Sequence, residues 1–207
     1  MKLILDTETT GLDPNKNAIL QVSMIDDHNR VLFNKYIKPS QEHFTNTDLL
    51  RDWLSASSLN GLYIKNVENE EELPVYRDDI ASLLNSADEL VGYNPSFDIN
   101  FLRANGINLN SNIHVTDVLT MFSNFYKAKA GNKYKRKNLI FAFQFFGGTK
   151  KYLKEAHNSL ADCFATLYVY NKLNSVNKNP ILKAYYKLKA YVVRALEKRR
   201  ERIESEA

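Results

Sequence analysis

Residues 2–11 read Lys2-Leu3-Ile4-Leu5-Asp6-Thr7-Glu8-Thr9-Thr10-Gly11, a short apolar run that ends in two carboxylates and a turn glycine. The apolar run predicts a strand over 2–6. Side chains two apart on a strand share a face, so Asp6 and Glu8 project together from its end. Adjacent carboxylates repel, and removal from water raises that cost. A divalent cation relieves it, and hard carboxylate oxygens suit magnesium or manganese. An Asp-x-Glu pair is also common on solvent-facing strand ends, so its meaning depends on what the rest of the chain brings to it.

Outward from this stretch, a turn region with Gly, Pro and Asn leads to a second apolar run at 18–25, and 31–37 alternates as a third strand. Asp27-His28-Asn29-Arg30 connects the last two tightly, so the chain opens with an antiparallel meander. A helix is expected at 48–58, with Leu49, Leu50, Trp53 and Leu54 on one face. Another is expected at 70–84, with Pro74 in its first turn and Val75, Ile80, Leu83 and Leu84 as its stripe. A strand at 89–93, a helix at 96–104, a strand at 112–116 and helices at 118–126, 137–146 and 159–173 follow. Strands first, then strands alternating with helices, predict an α/β fold with a mixed sheet flanked by helices. The polar stretch 174–179 reads as a hinge. Pro180 then opens a last helix to about 205, with Leu182, Tyr185, Tyr186, Leu188, Val192, Val193 and Leu196 along it. The expected division is a domain over 1–174 and a basic helical extension over 175–207.

The chain has 207 residues, 44% of them hydrophobic, which is enough for one sizeable core. No apolar run is long enough to span a bilayer, and the first residues lack the character of a signal peptide. The single cysteine, Cys163, excludes an internal disulfide framework. These features predict a cytoplasmic protein with no membrane partner. The net charge is only +4, but it is unevenly placed. Lys127, Lys129, Lys133, Lys135, Arg136 and Lys137 follow one another with no acid among them, and a second basic stretch runs over 178–202. Such clusters suit a polyanion, because each neutralised phosphate releases counterions; solvated faces have the same composition. Phe125, Tyr126, Tyr134 and Tyr152 lie among these cations, where they could stack on bases or anchor a core.

Two further motifs give the carboxylate pair its company. Gly92-Tyr93-Asn94-Pro95-Ser96-Phe97-Asp98 runs from a strand end into a helix, placing Asp98 at the sheet's carboxyl edge. His157-Asn158-Ser159-Leu160-Ala161-Asp162 places a histidine before a helix cap and an acid inside the helix. Histidine titrates near neutrality, which suits a general base. Together these residues compose a reaction. Asp6, Glu8 and Asp162 would bind one metal, Asp6 would bridge to a second, and Asp98 would assist. Two ions about 3.5–4 Å apart activate a water and stabilise the leaving oxygen of a phosphodiester. His157 would take the proton of that water.

With these motifs in this order, the chain resembles the DEDDh exonuclease superfamily, which includes the proofreading subunit of bacterial DNA polymerase III. The first motif stands as Asp6-Thr7-Glu8-Thr9-Thr10-Gly11, the second as Gly92 to Asp98, and the third as His157 followed five residues later by Asp162. Asn158 occupies the position where the sister branch carries tyrosine, which points to the histidine branch. Leu59-Asn60-Gly61-Leu62, Thr116-Asp117-Val118-Leu119, and Lys137-Asn138-Leu139 followed by Phe146-Gly147 resemble the family's connecting segments. The resemblance covers about residues 1–174 and implies a ribonuclease-H-like fold with a five-stranded mixed sheet. It implies Thr9, Thr10, Gly11, Leu12, Leu59, Asn60 and Asn94 as substrate-binding residues. Thr9 and the backbone after it would meet the terminal 3′-OH, and Leu12 and Leu59 would wedge near the last bases. Asn60 departs from the histidine common in relatives, and the helix after Pro180 has no counterpart in the minimal family domain.

The function this implies is a metal-dependent 3′→5′ exonuclease. It would use two Mg2+ or Mn2+ ions and release 5′-mononucleotides from the 3′ end of mainly single-stranded DNA. The alternatives are action on RNA or short oligoribonucleotides, and a module that binds nucleic acid or a polymerase without cleaving. The C-terminal helix is the expected contact for a polymerase or other protein partner.

Overall fold

The computed structural model describes residues 1–130, 133–149 and 158–206. Five strands form the main sheet: β1 (Lys2–Thr9), β2 (Ile19–Asp26), β3 (Val31–Tyr36), β4 (Glu89–Gly92) and β5 (His114–Asp117). Their order is β3-β2-β1-β4-β5. The meander β1–β2–β3 is antiparallel, whereas β4 joins β1, and β5 joins β4, in parallel. The sheet is therefore mixed and five-stranded, as the ribonuclease-H-like expectation required. The first strand runs past its apolar stretch to Thr9, because Thr7 and Glu8 pair with Val22 and Gln21 on β2. Its register then shifts between Glu8 and Thr9. Such an irregularity bends a strand and re-aims its side chains, and here it falls beside the acids.

The helices are α1 (Glu42–Thr45), α2 (Thr47–Asn60), α3 (Ile64–Val67), α4 (Leu73–Ser86), α5 (Ser96–Ala104), α6 (Val118–Tyr126), α7 (Leu139–Phe145), α8 (Ser159–Lys178) and α9 (Pro180–Glu206). Alternation along β1 feeds two cores. Leu3 and Leu5 pack with Ile80 and Leu84 of α4 and with Phe101 and Leu102 of α5. Ile4 points the other way, into Phe122 of α6, Phe145 of α7, and Cys163 and Leu167 of α8. Both faces of the central strands are thus buried. A third cluster of Leu20, Trp53, Leu62 and Val67 ties α2 and α3 to the start of β2. Gly61 ends α2 in the left-handed region at φ 71°, and the Trp53 indole and Ser57 hydroxyl both donate to the Leu62 carbonyl. This closure fixes Leu59 and Asn60 beside β1.

Three helical expectations shift in detail. The helix expected from residue 70 starts at Leu73, so Pro74, which has no N–H to donate, falls in the first turn. Its buried stripe is Leu73, Ile80 and Leu84, while Val75 is exposed. On α2, Trp53 is buried and Leu54 faces out. The expected hinge at 174–179 is helical as far as Lys178, because Leu173 and Val176 pack into the core on the helix's inner side. The break is confined to Asn179, whose side chain accepts from Ile181 and Leu182 N–H and so caps α9.

The last helix is docked on the domain. Ala190 is buried, and the Tyr186 ring packs against Phe145 and Phe146 at 5.9 and 5.0 Å between centroids. The Arg194 guanidinium donates to the Tyr126 carbonyl, and Lys137 pairs with Glu197 at 2.6 Å. Tyr126 is fully buried and Phe125 packs on Phe145 and Phe146, so both anchor the core and neither is free to stack on a base. Tyr134 stays exposed, and Tyr152 lies outside the described residues. Among the described residues no helix is long and apolar enough to cross a membrane.

Phe122 is fully buried and meets the rings of Tyr126, Phe141, Phe145 and Phe146. Its removal leaves a cavity at the centre of the larger core. Phe122→Ala is expected to cost about 3–5 kcal/mol and to lower the melting temperature by about 6–20 °C, as read by calorimetry.

Candidate active site

β1 and β4 run parallel, so their carboxyl ends open on one edge, and the motif residues collect there. Asp6 and Glu8 lie on the face of β1 that Ile4 shares, which is the face covered by α8. Asp162 arrives in the first turn of α8. Asp6, Glu8 and Asp162 are half-buried, and each places a carboxylate oxygen within 4.8 Å of the others. Asp98 enters from the first turn of α5 and is almost wholly buried. The Thr7 N–H and hydroxyl both donate to its Oδ1, at 2.9 and 2.7 Å.

What holds α8 at this edge is a polar belt beneath its N-terminus. The Ser159 N–H donates to Gln21 Oε1 at 3.2 Å, and the Ser159 and Ser23 hydroxyls share a hydrogen bond of 2.6 Å. Gln21 and Ser23 both donate on to Asn34. Gln21, Ser23 and Ser159 are fully buried, so each of these bonds satisfies a group that would otherwise be desolvated without compensation. Asn158 caps the helix through the Leu160 N–H and reaches the Tyr36 hydroxyl. Small residues bring the helix close: Ala161 and Ala165 are buried, and the Cys163 thiol lies 3.3 Å from the Ser23 carbonyl.

The acids raise one another's proton affinity. Burial lifts Asp6 well above the usual carboxylate range, and the charges of Asp98, Asp162 and Glu8 add to it. Burial, then Asp162, pushes Glu8 up to about 9, with the Asn60 amide pulling it back in part. Asp98 is pushed up to about 7 by burial, which outweighs the Thr7 hydrogen bonds. Among the described residues no lysine or arginine pairs with Asp6, Glu8 or Asp98. An all-oxygen donor set of converging carboxylates without a protein cation fits a hard divalent ion.

Beside the acids runs an open groove of about 480 Å³, walled by Thr9, Gly11, Leu12, Leu59, Asn60 and Phe97 with Glu8 at its base. Leu12 is 84% exposed and Leu59 70%, so two apolar side chains stand free at the groove. Leu59 is carried by the end of α2, and the turn that carries Leu12 is packed tightly against that helix. A Cβ on Gly11 would meet the Asn17 amide at 2.5 Å, and Asn17 is itself bonded to Asp52 of α2. Asn60 donates to the Thr9 carbonyl at 3.1 Å, bracing the end of β1. The Thr9 hydroxyl donates to the Gly11 carbonyl. Thr10 is fully buried, with its hydroxyl accepting from Ala18, so it shapes the turn from outside the groove wall. Asn94 also stands outside the wall, at φ 72°, where its N–H donates to Asp117 and its Oδ1 accepts from Arg136. His157 lies outside the described residues.

Sequence reading missed Thr7, Gln21, Ser23, Asn34 and Ser159 as supports, and Phe97 as part of the wall. A signal for two of them was present: Gln21 and Ser23 are polar residues two apart in an otherwise apolar strand, which marks one face meeting a polar partner.

The cluster sets a pH dependence. With its folded-state affinity raised from the ordinary 4.5 to about 9, Glu8 holds its proton in the folded chain where the unfolded chain has lost it. The folded state binds more protons across that window, so metal-free stability falls as pH rises through it. Calorimetry without metal is expected to show this loss, and added Mg2+ or Mn2+ to restore more at pH 8 than at pH 5.5. Glu8→Gln puts a neutral amide where the folded chain must otherwise take up a proton. It is expected to raise the metal-free melting temperature at pH 8 by about 2–10 °C and to diminish the metal-induced rise.

A family profile described as "Exonuclease", that of the RNase T family, matches residues 3–170. No curated protein matches the chain at a significant level. Among solved structures, Escherichia coli exonuclease I in a zinc-bound complex with single-stranded DNA is 20% identical, with a TM-score of 0.63 over 89% of this chain and 42% of that one. The same enzyme in complex with a dT13 oligonucleotide is 19% identical, with a TM-score of 0.64 over 91% of this chain and 45% of that one. The chain therefore spans less than half the length of these solved chains, and at this identity the likeness speaks for the fold. The profile match over most of the chain, the sheet order and the motif acids agree: the chain belongs to the exonuclease family, within the DEDDh superfamily of ribonuclease-H-like fold.

Proposed function

We propose that this chain is a metal-dependent 3′→5′ exonuclease that releases 5′-mononucleotides from single-stranded DNA. The observation that carries the reading is the convergence of Asp6, Glu8 and Asp162 within 4.8 Å beside an apolar-walled groove. Repelling, half-buried acids are costly to keep unless a cation joins them. The solved relatives in complex with oligonucleotides hold single-stranded DNA, which supports that polymer here.

In this reading Asp6, Glu8, Asp162 and Asp98 would hold the divalent ions, magnesium or manganese serving equally by donor type. Divalent ions held there would supply Lewis-acid polarisation of the phosphate and a more acidic water. Thr9 and the backbone through Gly11 receive the terminal 3′-OH, and Leu12 and Leu59 press against the last bases from the groove. Asn60 secures the Thr9 carbonyl and so keeps this receiving edge in place. Asn94 contributes through the turn it shares with Arg136. His157, by its position before the α8 cap in sequence, takes a proton from the water. The water oxygen forms the new bond to phosphorus, the bond to the 3′-oxygen of the preceding nucleotide breaks, and that oxygen regains a proton. The stripe of Ile181, Tyr185, Leu188 and Val192 stays exposed on α9, which supports a protein partner such as a polymerase there.

The test is a degradation assay on free-ended and 3′-blocked single-stranded DNA and RNA, with Mg2+, Mn2+ or a chelator. Metal-dependent laddering from the free 3′ end, faster on DNA, is expected. No product from any substrate by folded, metal-supplied protein would sink the reading. Asp6→Ala is expected to abolish turnover. His157→Ala is expected to lower kcat by about 10²–10⁴-fold, the usual worth of a general base, and wild-type kcat in that variant would remove His157 from the mechanism.

A further inference from the structure

The docking of α9 creates a second feature, away from the acids, which the cleavage chemistry leaves unused. Between the turn after α6 and one side of α9 lies an open groove of about 520 Å³, lined by Lys127, Lys135, Tyr191, Arg194 and Lys198, with Glu197 and Glu201. Both acids are already paired, Glu197 with Lys137 at 2.6 Å and Glu201 with Lys135 at 3.0 Å. Lys127 and Lys198 are exposed and form no ion pair among the described residues, so the groove's unbalanced charge is positive. Tyr191 is 66% exposed and offers a ring face beside these cations.

One short segment joins this groove to the acid cluster. Lys135 lies in the groove wall, and its neighbour Arg136 donates to Asn94 Oδ1 at 2.8 Å. The next residue, Lys137, accepts the Tyr93 hydroxyl through its carbonyl at 2.7 Å. Asn94 in turn lies in the connection from β4 to α5, the helix that carries Asp98. One cationic segment therefore runs from Arg136, bonded to the turn before α5, to Lys135 in the groove that Lys127 and Lys198 also line. A cationic track with an aromatic platform is the chemistry that holds a single-stranded phosphodiester backbone without reading its sequence.

We propose that the groove formed by α9 and the turn after α6 binds the substrate strand on the 5′ side of its cleaved end, with Lys127 and Lys198 contacting phosphates and Tyr191 stacking on a base. This rests on the exonuclease reading and gives the added helix a task within it: substrates long enough to reach the groove are held more tightly.

Binding in a chelator separates the two claims, because it needs no turnover. Fluorescence anisotropy with 5′-labelled oligothymidylates of about 4 and about 20 nucleotides compares a strand confined to the acid edge with one that reaches the groove. The native chain is expected to bind the longer strand more tightly and with a steeper salt dependence. The pair Lys127→Ala and Lys198→Ala, at an unchanged melting temperature, is expected to reduce the log–log salt slope by about 1.4 for the longer strand, about 0.7 per lost contact, and to leave the shorter one unaltered. Tyr191→Ala is expected to weaken the longer strand by about 5- to 150-fold. Native binding of the longer strand by the lysine variant, with an unchanged slope, would overturn the proposal. Length-dependent binding that disappears in the variants, in a protein that cleaves nothing when metal is supplied, would uphold the groove and defeat the exonuclease reading instead.

Discussion

Asp6 and Glu8 leave the same face of one strand two residues apart, and the fold then adds Asp98 from one helix and Asp162 from another. Burial, with the charge that each addition brings, raises the proton affinity of these acids, to about 9 at Glu8 and about 7 at Asp98. A metal-free chain meets this repulsion by retaining protons, and a metal-bound one by coordinating an ion. The oxygens already stand within 4.8 Å of one another without an ion, set by the frame, which is what preorganisation requires.

That frame is rigid by construction. The sheet edge is fixed by pairing on both sides of β1, and the shift after Glu8 re-aims the chain into the turn that bears Leu12. The turn is locked by Gly11 against Asn17 and by Asn17 against α2. On the other side, Gln21, Ser23 and Ser159 fasten the start of α8 to the sheet with buried hydrogen bonds. Buried polar belts of this kind are informative only when satisfied, and here each donor and acceptor just named has its partner. Thr7 does the same for Asp98 from the opposite face of the strand. Stability elsewhere, in the two apolar cores, offsets the destabilising acids at the edge.

Much of this was legible in the sequence, for a physical reason. Period-two alternation and local spacing are short-range properties, so the strand carrying Asp6 and Glu8, the helix starting at Ser96 and the helix 118–126 could be read directly. The strand's continuation to Thr9 could not, since Thr7 and Glu8 extend it by pairing with residues of β2. The same limit hid the belt under α8, whose members Ser23 and Ser159 are 136 residues apart, and the bond from Asn60 to Thr9. Polar composition suggested a hinge at 174–179, but Leu173 and Val176 pack inward and keep the helix going to Lys178. Aromatic residues among lysines were similarly ambiguous: Tyr126 is core and Tyr134 is surface, a distinction that depends on where α9 lies.

The central claim is that the edge formed by β1, α5 and α8 is a divalent-cation site assembled by the fold. Crystals grown with Mn2+ and measured at a wavelength where manganese scatters anomalously test it without reference to any substrate. The account predicts anomalous density among the carboxylates of Asp6, Glu8 and Asp162, lost in an Asp162→Asn crystal whose backbone is unchanged. Well-ordered crystals with manganese bound elsewhere and none among these three acids would contradict it.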